Sequence, residues 1–211
     1  VSTVPRWGQF EMTVANTRTY ANPFTDVALE ATFTAPSGQS LKVLGFYDGE
    51  TNWRLRFMPT EKGEWRYEAR FSDGSPGVAG SLRCVKGNLH GPLQVRRDNP
   101  VWFEHTDGTP FFLRAFLLWR LEALDESTLA NTLDFLKGQG FNTIVGPHVV
   151  PTDRLPWQRD DKGKLDFLRY DLTLWRNLDR ALRLMEKREM VLIPFSVFGG
   201  TNQVPLMPSW E

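Results

Sequence analysis

The chain has 211 residues, with 25 Lys and Arg against 25 Asp and Glu, and its formal net charge is zero. This balance leaves no basic arm to displace counterions from a nucleic acid, so no nucleic-acid partner is expected. A single cysteine excludes an intrachain disulfide and a thiolate metal site. No apolar run reaches the roughly 18 residues that a membrane-spanning helix needs, so no membrane span is expected.

The first half of the chain alternates apolar and polar residues with a period of two, which predicts strands with one buried face. Turn sequences separate these runs, and none of them has helical spacing. The sequence therefore predicts an antiparallel β-sandwich over residues 1–92. Arg54 and Arg56 are expected on its outer face in cross-strand ion pairs, with the binding of an anionic glycan as the alternative. The alternating runs are 10–14, 27–33, 53–57 and 65–71.

The pattern changes after residues 87–92. Apolar runs at 111–119, 141–150 and 190–198 predict strands buried on both faces, as in a parallel sheet. Helical spacing between them predicts one helix that begins after Asp125 and a second from about Asp171.

The order β-α-β-α-β is typical of either a doubly wound sheet or a TIM-type (β/α)8 barrel. The first predicted strand is not followed by a glycine-rich phosphate-binding loop of the kind found in nucleotide-binding sheets, which favours the barrel. The predicted fold class is therefore multidomain, with the β-sandwich followed by the first part of a barrel over residues 93–211. A complete barrel takes roughly 250 residues, so this second domain is expected to be incomplete.

Several segments of the chain, taken together, resemble one family of uncharacterised bacterial glycoside hydrolases. In that family an N-terminal immunoglobulin-like domain of unknown function precedes a cellulase-like or apiosidase-like (β/α) barrel. The segments that carry the resemblance are 22–27, 43–49, 53–59, 63–67, 105–113, 119–125 and 140–144.

The resemblance implies a hydrolase of O-glycosidic bonds in a plant or microbial polysaccharide or oligosaccharide. Two carboxylates about 5 Å apart would act, one as acid and base and the other as nucleophile. In such barrels they follow the fourth and the seventh strand, whereas three barrel strands are predicted here. No catalytic residue is therefore assigned in this chain, and both carboxylates are expected beyond Glu211. The implied partners are a carbohydrate substrate and the remainder of the barrel, in the same or another polypeptide; no cofactor is expected.

Active sites of (β/α) barrels lie at the carboxyl ends of the strands, which selects five candidate substrate-binding residues. Trp119 and Glu122 follow the first predicted strand, His148 and then Trp157 follow the second, and Asn202 follows the third. Tryptophan offers a flat apolar face to a sugar ring, and the other side chains can hydrogen-bond its hydroxyl groups. The alternative for each is a structural role, with the tryptophans packed and the imidazole buried and satisfied.

No metal site is expected, because the three histidines are far apart in the sequence and residues 160–166 lack the alternation of a calcium loop. A turn between short strands is predicted there instead. An extracellular or periplasmic location is expected, with the cytoplasm as the alternative. The competing functions are a noncatalytic carbohydrate-binding module or a structural immunoglobulin-like module, including a spacer that only braces the barrel.

Overall fold

The protein is described by a computed structural model that covers residues 1–146 and 156–194. Contacts divide the chain into two compact units, Val1–Phe112 (unit 1) and Leu113–Glu211 (unit 2). The domain boundary expected between residues 92 and 93 stays a prediction. The chain is rich in β-structure, and none of the helices described is long and apolar enough to cross a membrane.

Unit 1 consists of strands joined by turns. Five strands form one sheet in the order β1-β8-β7-β3-β4, three form a second in the order β2-β6-β5, and three form a small antiparallel sheet in the order β11-β10-β9. The strands are β1 (Ser2–Pro5), β2 (Phe10–Ala15), β3 (Leu29–Thr34), β4 (Ser40–Leu44), β5 (Phe46–Tyr47), β6 (Asn52–Phe57), β7 (Gly63–Phe71), β8 (Val78–Val85), β9 (Leu93–Val95), β10 (Phe103–His105) and β11 (Pro110–Phe111).

The two larger sheets of unit 1 share one aromatic core. Phe33 of β3 stacks on Phe57 of β6 with ring centroids 3.9 Å apart, and Trp53 of β6 meets the ring of Phe71 edge-on at 5.4 Å. Side chains from both sheets are buried together because the period-two alternation turns every second residue of each strand inward. The alternation predicted from the sequence is confirmed for these strands.

Charged side chains cover the outer face of the β2-β6 pair. Glu11 accepts hydrogen bonds from Arg54 Nη1 and Arg56 Nε, each at 2.6 Å. Burial acts to raise the pKa of Glu11, but the hydrogen bonds from both arginines outweigh it and hold that pKa below its ordinary value. The predicted cross-strand ion pairs are therefore confirmed.

Asp73 fastens the turn after β7 to the segment after β2. Its Oδ2 accepts hydrogen bonds from Tyr20 Oη at 2.6 Å and from Ser75 Oγ at 2.8 Å. The hydrogen bond from Tyr20 is the main reason that the pKa of Asp73 lies well below its usual range. An ionised carboxylate thus closes this end of the two facing sheets.

Unit 2 is built on a parallel sheet whose strands are joined by helices. The strand order is β12-β13-β16, and both pairs are parallel. Its elements are β12 (Ala115–Leu117), a 3-10 helix (Leu121–Ala123), α1 (Glu126–Gly138), β13 (Thr143–Val145), β14 (Trp157–Arg159), β15 (Leu165–Tyr170), α2 (Leu172–Glu186) and β16 (Val191–Ile193).

Both helices begin where the sequence predicts. Asp125 caps α1 by accepting a hydrogen bond from the Thr128 amide, and Asp171 caps α2 by accepting one from the Thr173 amide. The apolar faces of the helices pack with Ile144 of β13 into a single core. The predicted order β-α-β-α-β is thus present among the described residues.

The apolar run 111–119 is not one strand buried on both faces, and that prediction was wrong. It divides into β11 in unit 1 and β12 in unit 2, where Phe116 and Leu117 are 38% and 43% exposed. β12 lies at the edge of its sheet and pairs only with β13 among the described residues, so its side chains are covered incompletely. The other two runs contain β13 and β16, and their carboxyl-terminal residues lie outside the described part of the chain.

We expect Leu55→Ala to lower the free energy of unfolding by about 2–5 kcal/mol, because Leu55 is fully buried between the two sheets and its removal leaves a cavity. The matched control is Leu44→Ala, since Leu44 is 70% exposed and its loss should change stability by about 0.5 kcal/mol or less. Urea unfolding followed by circular dichroism measures both. Equal effects would contradict the facing-sheet core.

Candidate functional site

The carboxyl ends of the three parallel strands lie along one side of the sheet in unit 2, which we call its carboxyl edge. Beyond the strands, the Leu118 amide donates to Val145 O and the Gly146 amide donates to Ile193 O, each at 3.1 Å. A Cβ at Gly146 would lie 2.5 Å from Leu118 O, so only glycine lets the chain segments approach so closely there. This carboxyl edge is where ligands bind in parallel α/β sheets.

Trp119 lies just beyond β12 at the carboxyl edge and is 51% exposed. The chain turns immediately afterwards at Arg120, whose φ of 58° is in the left-handed region. A non-glycine residue there costs of order 1 kcal/mol and is retained only where its surroundings hold it. The fully buried Leu121 anchors the turn, which thereby holds the Trp119 backbone at the end of the strand.

Glu122 lies in the 3-10 helix that follows this turn. Its Oε2 is buried and accepts no hydrogen bond among the described residues. Arg180 of α2 packs near the same segment and donates through Nη2 to Leu124 O at 2.5 Å. Its buried Nε has no hydrogen-bond partner within the described part of the chain. An unsatisfied buried polar atom is costly, so Glu122 Oε2 lowers the stability of this segment.

Asp125 is the other carboxylate close to this edge in sequence, and it has a structural role. Its Oδ1 accepts hydrogen bonds from Ser127 Oγ at 2.6 Å and the Thr128 amide at 2.9 Å. These bonds, the one from Ser127 foremost, place the pKa of Asp125 far below its usual range. Asp125 is therefore committed to capping α1 and is unsuited to donate a proton near neutral pH.

Trp157 lies on the β14-β15 hairpin, which is inserted between β13 and α2. Its half-buried ring meets Phe167 edge-on with centroids 5.0 Å apart. Trp175 Nε1 donates to Pro156 O at 3.2 Å and so ties the start of the hairpin to α2. Asp160 Oδ1 accepts hydrogen bonds from the backbone amides of Lys162 and Lys164 in the turn between β14 and β15. The predicted turn between short strands is therefore confirmed.

Two of the five predicted binding residues, Trp119 and Glu122, lie three positions apart on one short segment. Trp157 is on a separate hairpin, and the predictions for His148 and Asn202 lie outside the described residues. Sequence reasoning missed Arg120 and Arg180, because neither a left-handed backbone nor a buried guanidinium nitrogen leaves a pattern in the sequence. Within residues 1–146 and 156–194, no group of three or more His, Cys, Asp and Glu side chains is placed to hold a metal ion.

Comparison with solved structures gives a similarity that extends over most of the chain. It is with the crystal structure of a putative glycoside hydrolase from Bacteroides vulgatus ATCC 8482, at 27% sequence identity and a TM-score of 0.79. The match covers 93% of this chain but 41% of that one, so this chain spans less than half of the neighbour's length.

The model of a family described as a domain of unknown function, DUF5060, matches residues 3–72, which lie within unit 1. No curated protein matches the chain.

More distant structural matches include two further glycoside hydrolases. A family 39 enzyme from Bacteroides cellulosilyticus WH2 matches 93% of this chain and 32% of its own, at 11% identity and a TM-score of 0.30. A family 2 member from Bacteroides cellulosilyticus DSM 14838 matches 89% of this chain and 26% of its own, at 14% identity and a TM-score of 0.31. At such TM-scores these matches carry no argument about this protein.

We expect Glu122→Met to raise the free energy of unfolding by about 1 kcal/mol, because it removes a buried oxygen that accepts no hydrogen bond. The control is Glu126→Met, which removes an exposed carboxylate from the first turn of α1 and should be slightly destabilising. Thermal unfolding of both variants measures the difference. A strongly destabilised Glu122→Met protein would contradict this expectation and show that the carboxylate stabilises the fold.

Proposed function

We propose that the chain is the N-terminal portion of a glycoside hydrolase that cleaves O-glycosidic bonds in a plant or microbial polysaccharide or oligosaccharide. The observation that carries this proposal is the similarity to the putative glycoside hydrolase from Bacteroides vulgatus, which extends over both units of the chain. An extracellular or periplasmic location, where such polymers are met, belongs to the same proposal.

In this proposal unit 1 is an immunoglobulin-like domain and unit 2 is the first part of a TIM-type (β/α)8 barrel. Two facing sheets around one core support the first assignment. Three parallel strands joined in order by α1 and α2 support the second. The remainder of the barrel would come from the same polypeptide or from another one.

The proposed mechanism uses two carboxylates that lie beyond Glu211. One protonates the glycosidic oxygen, and the other attacks the anomeric carbon to form a glycosyl-enzyme that water then hydrolyses. The described residues bind substrate: Trp119 and Trp157 offer ring faces to sugar rings, and Glu122 accepts a hydrogen bond from a sugar hydroxyl. His148 and Asn202 remain proposed hydrogen-bonding residues of the same site.

Hydrolysis by the protein encoded by the complete open reading frame that contains this chain tests the proposal. We expect it to release reducing sugar from at least one member of a panel of plant and microbial polysaccharides. The 211-residue chain alone should release no reducing sugar, because the proposed mechanism uses two carboxylates that lie beyond Glu211. A folded full protein that binds a polysaccharide without cleaving it would favour the carbohydrate-binding module. A folded full protein that neither binds nor cleaves any polysaccharide would contradict both functions.

The proposed sugar platforms can be tested separately in the same full protein. We expect Trp119→Ala and Trp157→Ala each to weaken oligosaccharide affinity by about tenfold, since an aromatic ring face contributes of order 1 kcal/mol to such contacts. The matched control is Trp102→Ala in unit 1, where Trp102 is 43% exposed against 51% for Trp119. Isothermal titration calorimetry measures the oligosaccharide affinity of all three variants. If the two test variants bind as tightly as the Trp102→Ala control, Trp119 and Trp157 have only a packing role.

A further inference from the structure

Two histidines of unit 1 lie side by side although the sequence separates them. The rings of His90 and His105 have centroids 5.4 Å apart and are tilted by 41°. Pairing of β9 with β10 places His105 opposite Leu93, which brings the segment before β9 back to the end of β10. The pair belongs to unit 1, whereas the residues assigned to the proposed carbohydrate site belong to unit 2.

Each imidazole is oriented through its Nδ1 atom. His105 Nδ1 lies 2.7 Å from Gly91 O, and because a carbonyl only accepts, Nδ1 carries the proton and Nε2 keeps a lone pair. His90 Nδ1 lies 2.8 Å from Asp107 Oδ2 and 3.1 Å from Thr109 Oγ1, and the carboxylate favours the same tautomer. A carbonyl or a carboxylate on the second ring nitrogen is the usual support of a metal-binding histidine.

The spacing and exposure of the pair suit a shared ion. Two imidazoles that bind one ion at about 2.0–2.1 Å hold their ring centres about 5 Å apart, close to the spacing seen here. The side chain of His90 is 45% exposed and His105 is half-buried, so solvent reaches the pair from the side of His90. Gly91 permits the close approach, since a Cβ there would lie 2.2 Å from Thr106 Oγ1.

We propose that His90 and His105 bind a divalent first-row transition-metal ion through their Nε2 atoms, with water at its other positions. Imidazole ligands and the order of divalent metal affinities favour Cu2+ over Zn2+ and exclude Mg2+ as a competitor. Asp107 is a positioning residue that holds the ring of His90 and does not itself touch the ion.

Cu2+ added alone to the 211-residue protein tests this site, with Mg2+ as the control ion. We expect about one Cu2+ per chain by calorimetry and an electron paramagnetic resonance spectrum with splitting from two imidazole nitrogens. His90→Gln and His105→Gln should each weaken binding by at least about tenfold and remove one nitrogen from the splitting. Asp107→Asn should weaken Cu2+ binding by about 10- to 100-fold, while the spectrum still shows splitting from both imidazole nitrogens. This is expected of a residue that acts through the ring of His90.

The third histidine is the matched control, since His148→Gln should leave Cu2+ affinity unchanged. A loss of affinity in His148→Gln equal to that in the other two variants would overturn the proposal, as would wild-type affinity in His90→Gln and His105→Gln. If either variant fails to fold, proton NMR of the wild-type protein decides. Substoichiometric Cu2+ should then broaden two of the three imidazole signals together, and broadening of all three alike would refute the site.

Discussion

Parallel pairing of β12 with β13 and of β13 with β16 is the constraint on which the candidate site depends. Parallel strands cannot be joined by a tight turn, so each connection must return across the sheet, and α1 and α2 make those returns. All three strands consequently end at the same edge, where polar and aromatic side chains from distant parts of the chain can meet. Gly146 completes this arrangement, because a side chain there would collide with Leu118 O.

Two features at this edge oppose the stability of the fold. Arg120 adopts a left-handed backbone without being glycine, and Glu122 buries an oxygen that accepts no hydrogen bond among the described residues. Natural proteins break local rules of this kind mostly where function requires it. By contrast, Asp73 and Glu11 in unit 1 are fully engaged by neighbouring donors, and their depressed pKa values reflect bonds that support the fold.

The structural similarity and the geometry support one function from different directions. The match to the Bacteroides vulgatus neighbour covers 93% of this chain and 41% of the neighbour, at a TM-score of 0.79. The carboxyl edge carries the exposed indole of Trp119 and the buried Glu122 Oε2, while Asp125 caps α1. Unit 1 adds the paired histidines, which are independent of any glycosidase activity.

The sequence by itself determined the alternation that buries one face of each strand in unit 1, the caps at Asp125 and Asp171, and the order of strands and helices in unit 2. These features are local, since they depend on residues within a few positions of one another. Only the tertiary structure decided that the run 111–119 divides between two units, that Glu122 Oε2 is buried unpaired, and that His90 lies beside His105. Burial and proximity depend on which distant segments pack together, and no spacing within one segment encodes that.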